Sequence, residues 1–199
     1  MDVTAYVQAV GYLGIFVNVL VETGFLLGFF LPGDSLLIAV GLLAAAKQLE
    51  LSWALLALFL GSLLGNNLGY YLGRRLGLAL LDKAKVRRAD LERARRFMAR
   101  FGPLSILIGP YIPVFRAVVP FMCGTLRMPW LRFFALSLLG SLLWTQGLTL
   151  AAYYVGSKIP HLERYIYLVL LAGVGFGVVL AAWRAYRRGN LRWPVRKAE

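Results

Sequence analysis

The sequence predicts an all-α membrane protein arranged as an inverted-topology repeat: a re-entrant helical hairpin plus a transmembrane helix, twice, with a further C-terminal transmembrane helix. Three observations predict it. Long apolar intervals carry no charge, helix breakers and charges interrupt other apolar stretches, and basic runs flank the spans in a one-sided pattern. The chain has 199 residues, 60% of them hydrophobic, and a mean hydropathy of +0.70.

No charge falls between Glu50 and Arg74, between Arg132 and Lys158, or between Arg164 and Arg184. Each interval approaches the roughly 20 residues that a bilayer requires, so spans are expected at 53–73, 132–156 and 165–183. Met1 to Val10 has no basic n-region and no small-residue cleavage site before polar sequence, so no cleavable signal peptide is expected. The single cysteine, Cys123, excludes an intrachain disulfide and suits a small hydrophobe.

The formal net charge is +13, concentrated in Arg74–Arg100 and Arg184–Lys197. Both runs flank apolar spans, which is the positive-inside pattern and assigns them to the cytoplasm. Nucleic-acid binding is not expected, because no recognition module accompanies the charge. Within 74–100, Val86, Ala89, Ala94, Phe97, Met98 and Phe101 can share one side of a helix. That segment reads as an amphipathic helix lying on anionic lipid headgroups.

Parity sets the remaining topology. With 74–100 inside, 53–73 starts outside; with the basic tail 184–199 inside, 165–183 also starts outside, so 132–156 begins in the cytoplasm. The segment 101–126 then has cytoplasmic flanks on both sides but only about one span's worth of residues. A re-entrant hairpin turning near Pro110 and Pro113 satisfies both conditions. The same reasoning makes 10–46 a second hairpin, opening outward, since Asp34–Ala46 is too short to span and Pro32-Gly33 breaks the helix before it. Residues 1–183 thus form one membrane domain. Internal echoes support the repeat: Gly61-Ser62-Leu63-Leu64 recurs as Gly140-Ser141-Leu142-Leu143, and Tyr70-Tyr71-Leu72-Gly73 as Tyr153-Tyr154-Val155-Gly156.

Three charges fall at membrane depth, Glu22, Asp34 and Arg116, each costing roughly 2.5–3.5 kcal/mol on insertion scales. Charge beside a broken apolar segment marks a transport site. Asp34 reads either as the N-cap of a half-helix beginning near Ser35 or as a site residue. Glu22 sits mid-helix with no basic neighbour in sequence; burial without a partner disfavours its charged form, which makes it a candidate proton acceptor. Pro113 suits the first position of a returning half-helix, where Arg116 and free backbone amides would form an anion site that suits phosphate. The plainer reading is an internal salt bridge from Arg116 to Glu22 or Asp34, and the two readings are compatible, since one arginine leaves at least one of two acids unpaired. Gly61, Gly65, Gly69, Gly73 and Gly77 recur every four residues as a small face for close helix packing. Asn66 and Asn67 would bond across to a hairpin or line a cavity.

Enzyme chemistry is not expected. His161 is the only histidine and has no acidic partner nearby in sequence, so neither a histidine nucleophile, a serine–histidine pair nor a zinc site can be assembled. No catalytic residue, metal or cofactor is assigned.

These residues also carry a resemblance. Glu22, Phe30-Leu31-Pro32-Gly33-Asp34-Ser35-Leu36-Leu37, Gly65-Asn66, Gly69-Tyr70-Tyr71-Leu72-Gly73-Arg74, Ile112-Pro113-Val114-Phe115-Arg116, Pro120, Gly124 and Trp144 together resemble the DedA family, whose domain is also called SNARE-associated or VTT. The resemblance runs from about Gly11 to Gly156. It implies a multi-pass protein of the bacterial inner membrane that moves lipids between leaflets, notably undecaprenyl phosphate, with dependence on the proton motive force. Distant eukaryotic relatives are similar to phospholipid scramblases. One departure stands out: where the family commonly has an arginine six residues before the position of Arg116, this chain has Pro110.

The expected substrate-binding set is Arg116, Asp34, Glu22, Asn66 and Tyr111, with Glu22 and Asp34 coupling protons. Pro32, Gly33, Pro113, Pro120, Gly65, Gly69 and Gly73 are expected to be structural. Expected partners are membrane lipids, a phosphate-headgroup lipid substrate and protons, with self-association left open. Two rival readings are a gradient-independent phospholipid scramblase and a membrane-organising protein acting through its basic helix.

Overall fold

A computed structural model describes residues 3–25, 33–77 and 88–159. The expected span at 165–183, the tail 184–199, Pro32 and His161 lie outside the described residues. The described residues form helices and turns, with no strand among them. In chain order these are α1 (Val3–Gly24), α2 (Gly33–Ala45), α3 (Leu51–Leu76), α4 (Arg88–Phe101), the four-residue α5 (Ser105–Ile108), α6 (Pro113–Thr125) and α7 (Trp130–Ser157).

Helices α3 and α7, of 26 and 28 residues, are long and apolar enough to cross a membrane, and cover the spans expected at 53–73 and 132–156. At 1.5 Å per residue each reaches about 40 Å. They meet through polar side chains: Ser62 Oγ donates to Ser141 Oγ at 3.0 Å and Asn66 Nδ2 donates to the same oxygen at 3.1 Å. The two serines are the ones that the internal echo aligns.

The arms of the two expected hairpins part rather than pack mainly on themselves. Helix α1, which begins at Val3 rather than near Val10, lies along α3, whereas α2 lies along α7. Helix α6 in turn lies along α3. Each short helix therefore leans on the other half's long one. Both short helices have 13 residues, and both end the same way. At α2, the Gln48 amide bonds to Leu43 O and the Lys47 amide to Ala44 O; at α6, Met128 bonds to Cys123 O and Arg127 to Gly124 O. Lys47 (φ 60°) and Arg127 (φ 54°) hold the left-handed position of these Schellman ends. Neither residue is glycine, so each helix stop carries a similar backbone strain in the same place.

Close helix approach explains most of the glycine face. A Cβ at Gly61 would stand 2.7 Å from Phe16 O, one at Gly65 would overlap Thr23 Oγ1, and one at Gly73 would overlap Phe121 O. Reciprocally, a Cβ at Gly124 on α6 would overlap Tyr70 O on α3. Gly69 packs more loosely, against Pro120. Gly77 departs from the expected face: it has open space around it and ends α3 with φ 57°.

The segment 101–126 breaks where its prolines are. A 3-10 turn at Gly102–Leu104, α5, and a second 3-10 turn at Gly109–Tyr111 precede the extended Ile112, and α6 starts at Pro113 as expected. Helix α4 is amphipathic. Phe97 packs against Phe115 of α6 with ring centroids 4.7 Å apart, while Arg95, Arg96 and Arg100 are exposed. Phe101 contacts Phe97 but stays exposed, unlike its expected place with Phe97 and Met98; Val86 and the Ala89 and Ala94 side chains lie outside the described set.

Candidate functional site

Four elements deliver one side chain each to a single cluster. Glu22 comes from the end of α1, Asp34 from the first turn of α2, Arg116 from the first turns of α6 and Trp144 from the middle of α7. The guanidinium lies between the acids: Arg116 Nη2 pairs with Glu22 Oε1, and Arg116 Nη1 donates to Asp34 Oδ1 at 2.9 Å. Trp144 completes the cage, its ring 4.6 Å from the guanidinium carbon and its Nε1–H donating to Asp34 Oδ1 at 3.2 Å. Arginine suits this place because its planar fork can bond acids at two edges while stacking on an aromatic face.

The environments of the two acids differ. Arg116 is 4% exposed and the Glu22 side chain 0%, but the Asp34 side chain is 42% exposed. One pairing is therefore dry and the other wet. Both carboxylates share the single arginine, so the expected unpaired acid is not found. Nor does Asp34 precede its helix: α2 begins at Gly33, and the carboxylate is turned to Arg116 and Trp144 rather than to its own helix end. With both acids ionised the cluster carries a formal charge of −1, so an incoming anion must take the place of a carboxylate on Arg116 rather than add to a vacant cation.

Asn66 joins the cluster from the side. It is buried, and with Arg116, Gly109, Pro110, Phe115 and Val119 it lines a cavity of about 10 Å³, near the lower limit for one water molecule. Pro110, where a second cation was expected by resemblance, forms part of that wall. Tyr111 is not brought in; it stands at the break before α6, 48% exposed. Pro120, buried within α6, cannot donate to the Arg116 carbonyl four residues earlier, which loosens the helix beside the guanidinium.

Trp144 is the site residue that reasoning from charge alone overlooks. Its signal is an indole N–H at mid-span, which needs an acceptor when buried; Trp144 is fully buried. Among the described residues no group of three or more His, Cys, Asp or Glu side chains could hold a metal ion.

The fold and cluster together define a helical protein with, among the described residues, two helices long and apolar enough to cross a membrane and a buried ion-paired centre. Comparison with known proteins narrows this. The sequence model of the VTT domain matches residues 31–158. An uncharacterised membrane protein of Mycobacterium tuberculosis is 32% identical over 182 residues, 87% of this chain and 79% of that protein. Protein DedA of Escherichia coli K12 is 30% identical over 165 residues, 80% of this chain and 75% of DedA. A Mycobacterium leprae membrane protein, also uncharacterised, is 31% identical over 179 residues, with coverages of 86% and 79%. The chain belongs to the DedA family of VTT-domain membrane proteins. No solved structure matches it.

Proposed function

We propose that the protein translocates an anionic, phosphate-headgroup lipid between membrane leaflets, with undecaprenyl phosphate the foremost candidate, in a proton-coupled exchange. The observation that carries this reading is the unequal hold on Arg116: a dry pairing with Glu22 and a half-exposed one with Asp34. Protonating Asp34 removes its charge and frees the Nη1 edge, which a phosphate oxygen can then take; losing that proton restores the ion pair and expels the headgroup. Glu22 keeps the arginine in place meanwhile. An N–H···O bond to a charged oxygen is stronger than a neutral one, so phosphate and carboxylate compete on comparable terms.

The exchanged packing of α2 and α6 and their matching ends support an inverted repeat, with the two broken segments entering from opposite faces of a bacterial inner membrane. In that arrangement the basic 74–100 region and the C-terminus face the cytoplasm. Proteoliposomes loaded with a fluorescent polyprenyl phosphate test the reading. An inward proton gradient should speed translocation, and collapse of the gradient should slow it.

One observation favours a second reading, a scramblase that needs no gradient. Pro110 occupies the cavity wall where family members commonly carry a cation, which weakens the hold on a doubly charged headgroup. Unchanged translocation after gradient collapse selects this alternative. The membrane-organising reading predicts instead that neutralising Arg93, Arg95, Arg96 and Arg100 removes function while Glu22 and Arg116 variants retain it.

A further inference from the structure

A second cavity lies away from the ion-paired centre, between the amphipathic helix α4 and the far end of α6. Its volume is about 400 Å³, and Arg95, Met98, Ala99, Ile106, Met122 and Met128 line it. That volume falls within the roughly 300–1,000 Å³ range of small-molecule clefts. Ile106 is the one residue that it shares with the small cavity beside Arg116.

We propose that this cleft binds the acyl chain of a resident anionic phospholipid whose headgroup rests on Arg95. The walls are mostly thioether and aliphatic, with Ser105 and Cys123 the small exceptions, and methionine adapts its shape to a flexible chain. Arg95, Met98, Ala99 and Gly102 follow helical spacing, so they form one stripe of α4 and its end facing the cleft. Arg95 is the charged residue of that stripe; it lines the cleft and is exposed, and an arginine so placed can lay its stem on apolar wall with its guanidinium in water. Arg96 and Arg100 are exposed on the same helix beside that stripe. Glu92 is the only exposed acid among the helix's described side chains, so the charge near the cleft is net basic, which suits a phosphodiester. An amphipathic, basic helix in a membrane protein suits the bilayer surface, where such lipids are abundant. The lipid would join α4 to α6, the half-helix that carries Arg116 at its other end. The proposal does not depend on translocation.

Native mass spectrometry of the purified full chain tests it, with dioleoyl phosphatidylglycerol or dioleoyl phosphatidylcholine added after delipidation. The wild type should retain one phosphatidylglycerol under activation that strips phosphatidylcholine. Arg95→Gln should reduce the preference about fivefold, the worth of one basic residue at a membrane surface. Ala99→Trp, at an exposed position on the cleft wall, should abolish retention. The Arg116→Gln/Glu22→Gln variant should retain the lipid as the wild type does. Equal retention of both lipids by the wild type overturns the proposal. So does undiminished retention by Ala99→Trp, or loss confined to the Arg116→Gln/Glu22→Gln variant, which would put the lipid at the ion-paired centre.

Discussion

Replacing Arg116 with glutamine should destabilise the protein far more than replacing Asp34 with asparagine, although both break an ion pair with the same guanidinium. Removing the arginine strands Glu22, whose side chain is 0% exposed. Breaking a buried pair in this way costs about 3–5 kcal/mol. Asp34, 42% exposed, can rehydrate when its pairing is lost, and a wet ion pair is worth about 1 kcal/mol or less. Asparagine also keeps an oxygen for Trp144 Nε1. For a chain of this length each kcal/mol moves the unfolding temperature by roughly 2–4 °C, so Arg116→Gln should lower it by roughly 6–20 °C and Asp34→Asn by under about 4 °C. The assay is thermal loss of the monodisperse size-exclusion peak in a mild detergent. The double variant Arg116→Gln/Glu22→Gln should recover about 2 kcal/mol or more of the loss, because residues in contact couple within a range of about 0.5–3 kcal/mol. Equal shifts for the two single variants, or no recovery in the double, would refute the division into a dry and a wet pairing.

Three further outcomes are expected. Gly73→Ala should destabilise by about 3 kcal/mol or more, because its Cβ would overlap the Phe121 backbone carbonyl, whereas Ala at Gly77 meets no atom and should cost only the roughly 1–3 kcal/mol of a backbone conformation (φ 57°, ψ −155°) almost reserved for glycine; comparing the two variants with Gly124→Ala in the same thermal assay checks this. Trp144→Phe keeps a ring over Arg116 but removes the N–H to Asp34; because the half-exposed carboxylate can take water in its place, the loss in the same thermal assay should stay near the roughly 0.5–1.5 kcal/mol of an ordinary hydrogen bond. Asp34→Asn should fold and yet lose the response of translocation to a proton gradient, measured in proteoliposomes with and without an ionophore.

Much of this architecture was legible in the sequence because its signals are local. Charge-free intervals located α3 and α7, proline placed the start of α6, and membrane-depth charge singled out Glu22, Asp34 and Arg116. Partnership was harder to read. The sequence places an arginine and two acids at membrane depth, but that one pairing is dry and the other wet depends on how α1, α2 and α6 are carried on α3 and α7. The lengths and breaks that mark two hairpins say nothing of which long helix each arm packs on, so the exchange by which α2 rests on α7 and α6 on α3 is visible only in the structure. Gly77 matched the four-residue period but belongs to a helix end, since periodicity cannot see where packing stops. Trp144 stood among the residues of the family resemblance but, carrying no charge, was not placed in the substrate-binding set, whereas Tyr111 was placed there and stands apart from the cluster. The serines of the repeated Gly-Ser-Leu-Leu proved to bond to one another, a contact that no local pattern encodes.

Whether Arg116 takes a lipid headgroup in exchange for a carboxylate is decided by one comparison. Translocation of a fluorescent polyprenyl phosphate is measured in proteoliposomes with the wild type and with Arg116→Gln/Glu22→Gln, which keeps the cluster's formal charge and relieves the stranded acid. At matched amounts of folded protein, the rate should fall about tenfold or more, corresponding to a charge-assisted hydrogen bond worth about 1.5–3 kcal/mol. A rate within about twofold of the wild type, a difference under about 0.5 kcal/mol, would contradict the account.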